Sequence, residues 1–246
     1  MRLDQLIVER GLCASREQAQ RTVLAGRVRL NGRPAPKPGT RVRPADAVEL
    51  EAGEPFVSRG GPKLDHALAH FALDVTGLRA LDVGASTGGF TDCLLQRGAA
   101  HVTAVDVGRG LLAWKLRQDP RVTCLEGVNA RRLTPAAFGA DWRPFDLAGA
   151  GCSFISLRLG LPAGGPLVRP GGRIVALVKP QFEAGRAEAD RGRGVIANPA
   201  VHARVLAELE AFAATLPGWR WRGATESPLR GPAGNVEFLA LLEREA

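Results

Sequence analysis

At 246 residues, 45% hydrophobic and 24% charged, the chain is long enough for a large domain plus a small one, and its composition excludes a disordered or low-complexity protein. No apolar run approaches the roughly 20 residues that cross a bilayer, the first residues, with Asp4 and Glu9, lack a signal-peptide profile, and Cys13, Cys93, Cys124 and Cys152 show no C-x-x-C spacing. A cytoplasmic protein without membrane, zinc site or disulfide framework is expected, and its formal charge of +8 is concentrated in residues 1–43, which hold ten Lys/Arg against three acids. A positive field gathered on a short segment suits a polyanion, because neutralised phosphates release counterions, although a solvated basic surface has the same composition.

Residues 2–10 predict a short helix with Leu3, Leu6 and Ile7 on one side, ended by Gly11. Ser15 followed by Gln18 is a capping-box signature that opens a second helix to about Ala25, with Ala19 and Val23 facing inward and Arg16, Gln20 and Arg21 outward. Short strands are expected at 28–30 and 48–50, around an Asn31-Gly32 turn and a proline-rich loop at 34–44. At Ser15-Arg16-x-x-Ala19 through Gly26-Arg27-Val28-Arg29-Leu30-Asn31-Gly32 the unit, residues 1–52, resembles an S4 RNA-binding domain, and the resemblance makes Arg16, Arg21, Arg27 and Arg29 candidate RNA contacts. Residues 53–58 read as a linker to a second domain, 59–246.

In that second domain strand-like segments end near Asp82, Asp106, Leu125, Gly151 and Lys179, and another begins near Asn235. They alternate with helix-like segments at 62–71, 91–97, 109–118, 155–168 and 199–215. Such alternation implies crossovers and an α/β fold with a mostly parallel sheet covered on both faces. Pro62 and Pro199 stand where first helical residues belong, and Leu64, Ala67, Leu68 and Phe71 keep the spacing of a core-facing stripe. The Gly/Arg-rich segment 184–194 is a candidate mobile lid or an ordinary surface loop.

The stretch Leu81-Asp82-Val83-Gly84-Ala85-Ser86-Thr87-Gly88-Gly89-Phe90 joins the first of these strands to a helix, and Asp106 closes the next strand, where an acid can accept hydrogen bonds from ribose hydroxyls. Three binding readings compete. A dinucleotide fingerprint needs glycine where Ser86 stands. A nucleophile elbow, Gly84-x-Ser86-x-Gly88, needs a later acid and then a histidine on a loop, whereas His202 falls inside a helical pattern. The third is an S-adenosylmethionine loop, with Asp82 near the amino-acid part and Asp106 on the ribose; a purely structural turn stays open. The candidate cofactor set is Asp82, Gly84, Ser86, Thr87, Gly88, Gly89, Phe90, Asp106 and Asn129.

Of 33 basic residues only Lys37, Lys63, Lys115 and Lys179 are lysine. In so arginine-biased a chain, a retained lysine hints at a task that guanidinium cannot perform, such as losing a proton. Lys179 ends the apolar strand Arg173-Ile174-Val175-Ala176-Leu177-Val178 and so falls at the same sheet edge as the glycine loop, while Lys63 opens a helix. Glu237 interrupts the otherwise apolar strand Val236-Phe238-Leu239-Ala240-Leu241-Leu242, an expensive place for a carboxylate unless it is paired. Each alone reads as a surface or salt-bridged residue; together at one edge they form a candidate catalytic set.

These segments resemble, in order, the motifs of the hemolysin A-like (TlyA) family. The resemblance rests on Ser58-Arg59-Gly60-Gly61-x-Lys63-Leu64, the glycine loop, Ala104-Val105-Asp106-Val107-Gly108, Trp114-Lys115-Leu116-Arg117, Ser153-Phe154-Ile155-Ser156-Leu157, Val178-Lys179-Pro180-Gln181-Phe182-Glu183 and Gly234-Asn235-x-Glu237-Phe238-Leu239. The resemblance implies an S4 RNA-binding domain joined to a Rossmann-like class I, FtsJ-like methyltransferase. That enzyme uses S-adenosylmethionine to methylate a ribose 2′-hydroxyl, of cytidine in ribosomal RNA, with ribosomal RNA or ribosomal subunits as partners. It also implies a Lys-Asp-Lys-Glu set, whose lysines fall on Lys63 and Lys179 and whose glutamate falls on Glu237. The aspartate does not carry over, because Gly151 stands in its place, and impaired methyl transfer is expected. Asp146 is five residues away, about 16 Å along an extended strand, and Gly149 with Gly151 is expected to weaken that strand. A pore-forming cytolysin, suggested by the family's historical name, lacks a membrane-length stretch or a series of amphipathic strands.

Overall fold

The computed structural model describes residues 1–51, 53–140, 142–151 and 156–246, and the chain forms two compact units, Met1–Pro55 and Phe56–Ala246. In the first, helices α1 (Leu3–Glu9) and α2 (Arg16–Leu24) accompany a small antiparallel sheet of β1 (Val28–Leu30), β2 (Arg33–Pro34) and β3 (Val48–Leu50), ordered β2-β1-β3. Ser15 accepts a hydrogen bond from the Gln18 N–H at 3.2 Å, and the Gln18 side chain accepts one from Ala14 at 2.9 Å, so donors around the α2 start are satisfied locally. Asn31 and Gly32 both have positive φ, 52° and 75°, which gives the two-residue turn whose twist matches the flanking strands as Leu30 pairs with Arg33. The β2 strand was not foreseen. Leu3, Leu6, Ile7, Ala19, Val23 and Val28 form the core of this unit.

The second unit is built on a seven-stranded sheet. Strands β4 (Arg79–Val83), β5 (His101–Asp106), β6 (Val122–Glu126), β7 (Phe145–Ala150) and β8 (Val168–Val178) run parallel, and the hairpin of β9 (Trp219–Glu226) and β10 (Phe238–Arg244) is added with β10 antiparallel to β8. The order β6-β5-β4-β7-β8-β10-β9 reverses direction between β4 and β7, which opens a crevice beyond the carboxyl ends of those strands. Side chains alternate along β8 and β10: Val175, Leu177, Leu239 and Leu241 join the core under helices α3 (Gly60–His70), α4 (Gly89–Gln96) and α5 (Trp114–Arg117). Ile174, Ala176, Val178, Phe238, Ala240 and Leu242 join the opposite core under α6 (Leu157–Gly164) and α9 (Pro199–Ala214). This two-sided burial explains the near-continuous apolar runs.

Several local expectations change. Strand β9 had not been anticipated, although Trp219 and Trp221 are half-buried while Arg220 and Arg222 are exposed, a period-two signal. Helix α5 spans four residues, because the chain before it turns through Gly110 at φ 71°. The segment read as a lid or a surface loop holds a short helix, α8 (Arg186–Arg191), after α7 (Pro180–Glu183), and residues 56–58, expected in the linker, belong to the second unit, where Val57 donates to Asp92 at 2.8 Å. Among the described residues no helix is long and apolar enough to cross a membrane.

Candidate active site

The loop between β4 and α4 needs its glycines for two different reasons. Gly84 and Gly88 take positive φ, 78° and 95°. A Cβ on Gly88 would meet Leu116 at 2.3 Å, and one on Gly89 would meet Ser58 Oγ at 2.3 Å, so the neighbouring elements close on the loop backbone. Ser86 is exposed and also has positive φ, 50°, held there as its N–H donates to Asp106 Oδ2 at 2.8 Å. Asp106 Oδ1 accepts from Gly108 at 2.7 Å, so both carboxylate oxygens are oriented by backbone from two loops. Thr87 is exposed and its carbonyl accepts from Ala113 at 3.2 Å; Asn129, also exposed, uses its side chain to cap the following turn through the Arg131 N–H at 3.0 Å.

Asp82 lies at the base of the loop and is buried. Its Oδ2 accepts from the Thr91 N–H at 3.0 Å and hydroxyl at 2.7 Å, whereas Oδ1 is buried with no partner among the described residues. Burial pushes the Asp82 carboxyl up to about 6, against the two Thr91 bonds, with the negative charge of Asp106 adding to the rise. An orphaned buried carboxylate oxygen is costly unless a ligand supplies the donor, and it suits a cationic group. Phe90 lies in the core rather than at the rim, its ring so close to β7 that a Cβ on Gly149 would sit 2.9 Å from it. Gly149 is therefore a requirement of packing, and β7 forms over all of Phe145–Ala150.

Lys63, Glu237 and Lys179 are 6%, 2% and 8% exposed. Lys63, in the first turn of α3, forms an ion pair with Glu237 across 174 residues of sequence. The β8–β10 register pairs Val178 with Phe238, and one more step along it reaches Lys179 and Glu237, both in phase with the core face under α3. The Lys179 amine donates to the Gly151 carbonyl at 3.3 Å, while Gly151 N–H donates to Val83 at 3.0 Å. A Cβ at 151 would find only ordinary contacts, Gly84 O at 3.7 Å and Phe90 at 4.0 Å, so the position has room for a side chain. Asp146 is used at the other end of β7, accepting from Arg169 at 2.6 Å and the Arg79 N–H at 2.8 Å. Cys152, Ser153, Phe154 and Ile155 lie outside the described residues.

In the first unit three of the four candidate arginines have acidic partners of their own. Arg16 and Gln20, expected to face outward, donate to Asp4 Oδ2 at 3.1 and 2.8 Å, because Asp4 is buried and draws in donors. Arg21 pairs with Glu17 at 3.0 Å and Arg29 with Glu51 at 2.5 Å, while Arg27 is exposed and lies across Gly53. Surface pairs of this kind are worth about 1 kcal/mol or less, so phosphate can displace them. Sequence reasoning missed Asp4, whose only signal is an acid on the apolar side of α1, and Asn235, whose buried carboxamide accepts from Ile196 and donates to Gly194, each at 2.8 Å.

Comparison with known proteins agrees with this geometry. Residues 56–244 match the FtsJ-like methyltransferase family and residues 1–48 the S4 domain. The chain is 48% identical to 16S/23S rRNA (cytidine-2′-O)-methyltransferase TlyA of Mycobacterium tuberculosis, over 99% of this chain and 90% of that one. It is 37% identical to Hemolysin A of Brachyspira hyodysenteriae, over 98% of each. A solved structure of a hemolysin-designated protein from Streptococcus thermophilus superposes with a TM-score of 0.75 at 45% identity, covering 100% of this chain and 88% of the other. With its glycine loop, its reversed strand order and its match over most of the length, the chain belongs to the FtsJ-like methyltransferase family and carries an S4 domain ahead of the methyltransferase domain.

Proposed function

We propose that the chain methylates the 2′-hydroxyl of a cytidine ribose in ribosomal RNA, with S-adenosylmethionine as donor and Lys179 as general base. The observation that carries this reading is the buried Lys63–Glu237 pair beside Lys179 at the sheet edge that also bears the glycine loop. The activity named for the Mycobacterium tuberculosis relative supports the substrate class, and with it a cytoplasmic location and ribosomal RNA or subunits as partners.

S-adenosylmethionine, when bound, supplies an electrophilic methyl group on a sulfonium. The residues present fit it: Asp82 offers an unpaired carboxylate oxygen to the amino group, Asp106 a held carboxylate to the ribose, and Gly88 and Gly89 a backbone free of Cβ atoms. Lys179 Nζ takes the proton of the attacking 2′-hydroxyl, a step open to a buried amine and closed to a guanidinium. Lys63 and Glu237 hold the position of that amine and of the sugar. The arginines of the S4 unit bring phosphate affinity.

Gly151 leaves Lys179 with a main-chain carbonyl where the family resemblance implies a carboxylate, and this favours a second reading, an RNA- and cofactor-binding protein that transfers methyl slowly or not at all. Tritium transfer to unmodified ribosomal RNA separates the two. Lys179→Arg is expected to lower turnover by about 10²–10⁴-fold with cofactor affinity intact, and full turnover would refute the base. Gly151→Asp is expected to raise turnover by about 10²-fold; equal rates would make the acid dispensable, and silence of both chains would leave the binding protein.

A further inference from the structure

We infer that Glu183 is a positioning residue for methyl transfer, which rests on the reading above. Its carboxylate accepts from the Ser156 hydroxyl at Oε2 and from the Leu157 N–H at Oε1, both at 2.7 Å. Ser156 in turn caps α6 by accepting from Arg158 at 3.2 Å. Glu183 ends α7, the helix that starts immediately after Lys179, and this turn is closed on Lys179 itself by the Phe182 N–H donating to the Lys179 carbonyl at 2.9 Å. The turn 179–183 is thus attached at both of its ends: the Lys179 amine holds the Gly151 carbonyl, and Glu183 holds Ser156 and Leu157.

This double attachment has a consequence specific to a chain with glycine at 151. The amine of Lys179 is oriented at that position by backbone, so its aim depends on how the turn that starts at Lys179 is anchored at Glu183. Only a carboxylate accepts at both oxygens, and its negative charge suits the start of a helix. Glutamine keeps one of the two acceptors.

The experiment compares Glu183→Ala and Glu183→Gln in the full chain, each with and without Gly151→Asp. It measures turnover, KM for ribosomal RNA, cofactor affinity and thermal midpoint. It also follows the four lysine side chains by ¹³C labelling, since Lys37, Lys63, Lys115 and Lys179 are the only lysines in the sequence. Glu183→Ala is expected to lower kcat by about 10–10²-fold, the scale of a small misplacement, with Glu183→Gln intermediate and cofactor affinity unchanged. The Lys179 signal should move while the other three stay, and the gain from Gly151→Asp should shrink when Glu183 is absent. Should Glu183→Ala lower only the thermal midpoint, with kcat and the Lys179 signal retained, Glu183 is a helix cap and the inference fails. If no chain with an intact Glu183 transfers methyl, the methyl-transfer reading fails instead, while the Lys179 signal still reports whether Glu183 positions that amine.

Discussion

Asp4 and Asp82 are both buried, and they are satisfied in opposite ways. Asp4, in the small unit, accepts two bonds from Arg2, at 3.1 and 3.0 Å, and one each from Arg16 and Gln20; these donors, Arg2 foremost, hold its carboxyl below the usual carboxylate range. Asp82, in the large unit, has one oxygen on Thr91 and one with no donor among the described residues, and burial pushes it up to about 6. A buried acid with every acceptor filled is part of the scaffold, whereas one kept short of donors is prepared for something that arrives later. The Lys63–Glu237 pair stands between them, internally matched yet placed at the site.

The largest effect should come from breaking the matched pair. Glu237→Ala leaves the Lys63 amine buried without its counter-charge and is expected to cost about 3–5 kcal/mol, read from urea unfolding; a loss below about 1 kcal/mol would mean that water reaches the pair. Asp4→Ala should cost less, about 1–2 kcal/mol, because Arg2 and Arg16 are half in water and recover hydration. The sign with pH follows from a lowered carboxyl. Its stabilisation is present above the ordinary value near 4 and is lost as the pH falls below it, so the protection of the α1 and α2 amides against hydrogen exchange, taken relative to the intrinsic rate at each pH, should fall in acid in the natural chain and stay level in the variant.

Asp82→Asn sharpens the contrast most finely. A raised carboxyl disfavours folding increasingly between pH 4 and about 6, so removing it should leave stability at pH 7 equal or slightly higher. Affinity for S-adenosylmethionine should fall about tenfold, about 1.4 kcal/mol, and in the natural chain it should weaken as the pH drops through about 6. Calorimetric titration at two pH values decides it; unchanged affinity would make Asp82 another scaffold acid like Asp4.

The α2 start at Ser15, the Asn31-Gly32 turn, the glycine loop and Asp106 were legible in the sequence, because caps, tight turns and strand ends are governed by a few adjacent residues. Lys63, Lys179 and Glu237 were legible as a set at one sheet edge, but not which of them pairs with which. Strand β9 could have been found from its Trp-Arg alternation. Short helices α7 and α8 could not, being too brief to show a period.

What the residues alone determined was the kind of protein: alternating strands and helices, a basic first unit, a loop built to receive a cofactor, and a chain of motifs in family order. Only the tertiary structure decided which charges meet. Lys63 reaches Glu237 because β10 lies beside β8 and α3 covers that face, and Lys179 meets the backbone of residue 151 because parallel strands end at one edge. Asp4 is buried because α2 packs against α1. Such meetings depend on register and crossing between segments far apart in the chain, and no local pattern of side chains encodes them.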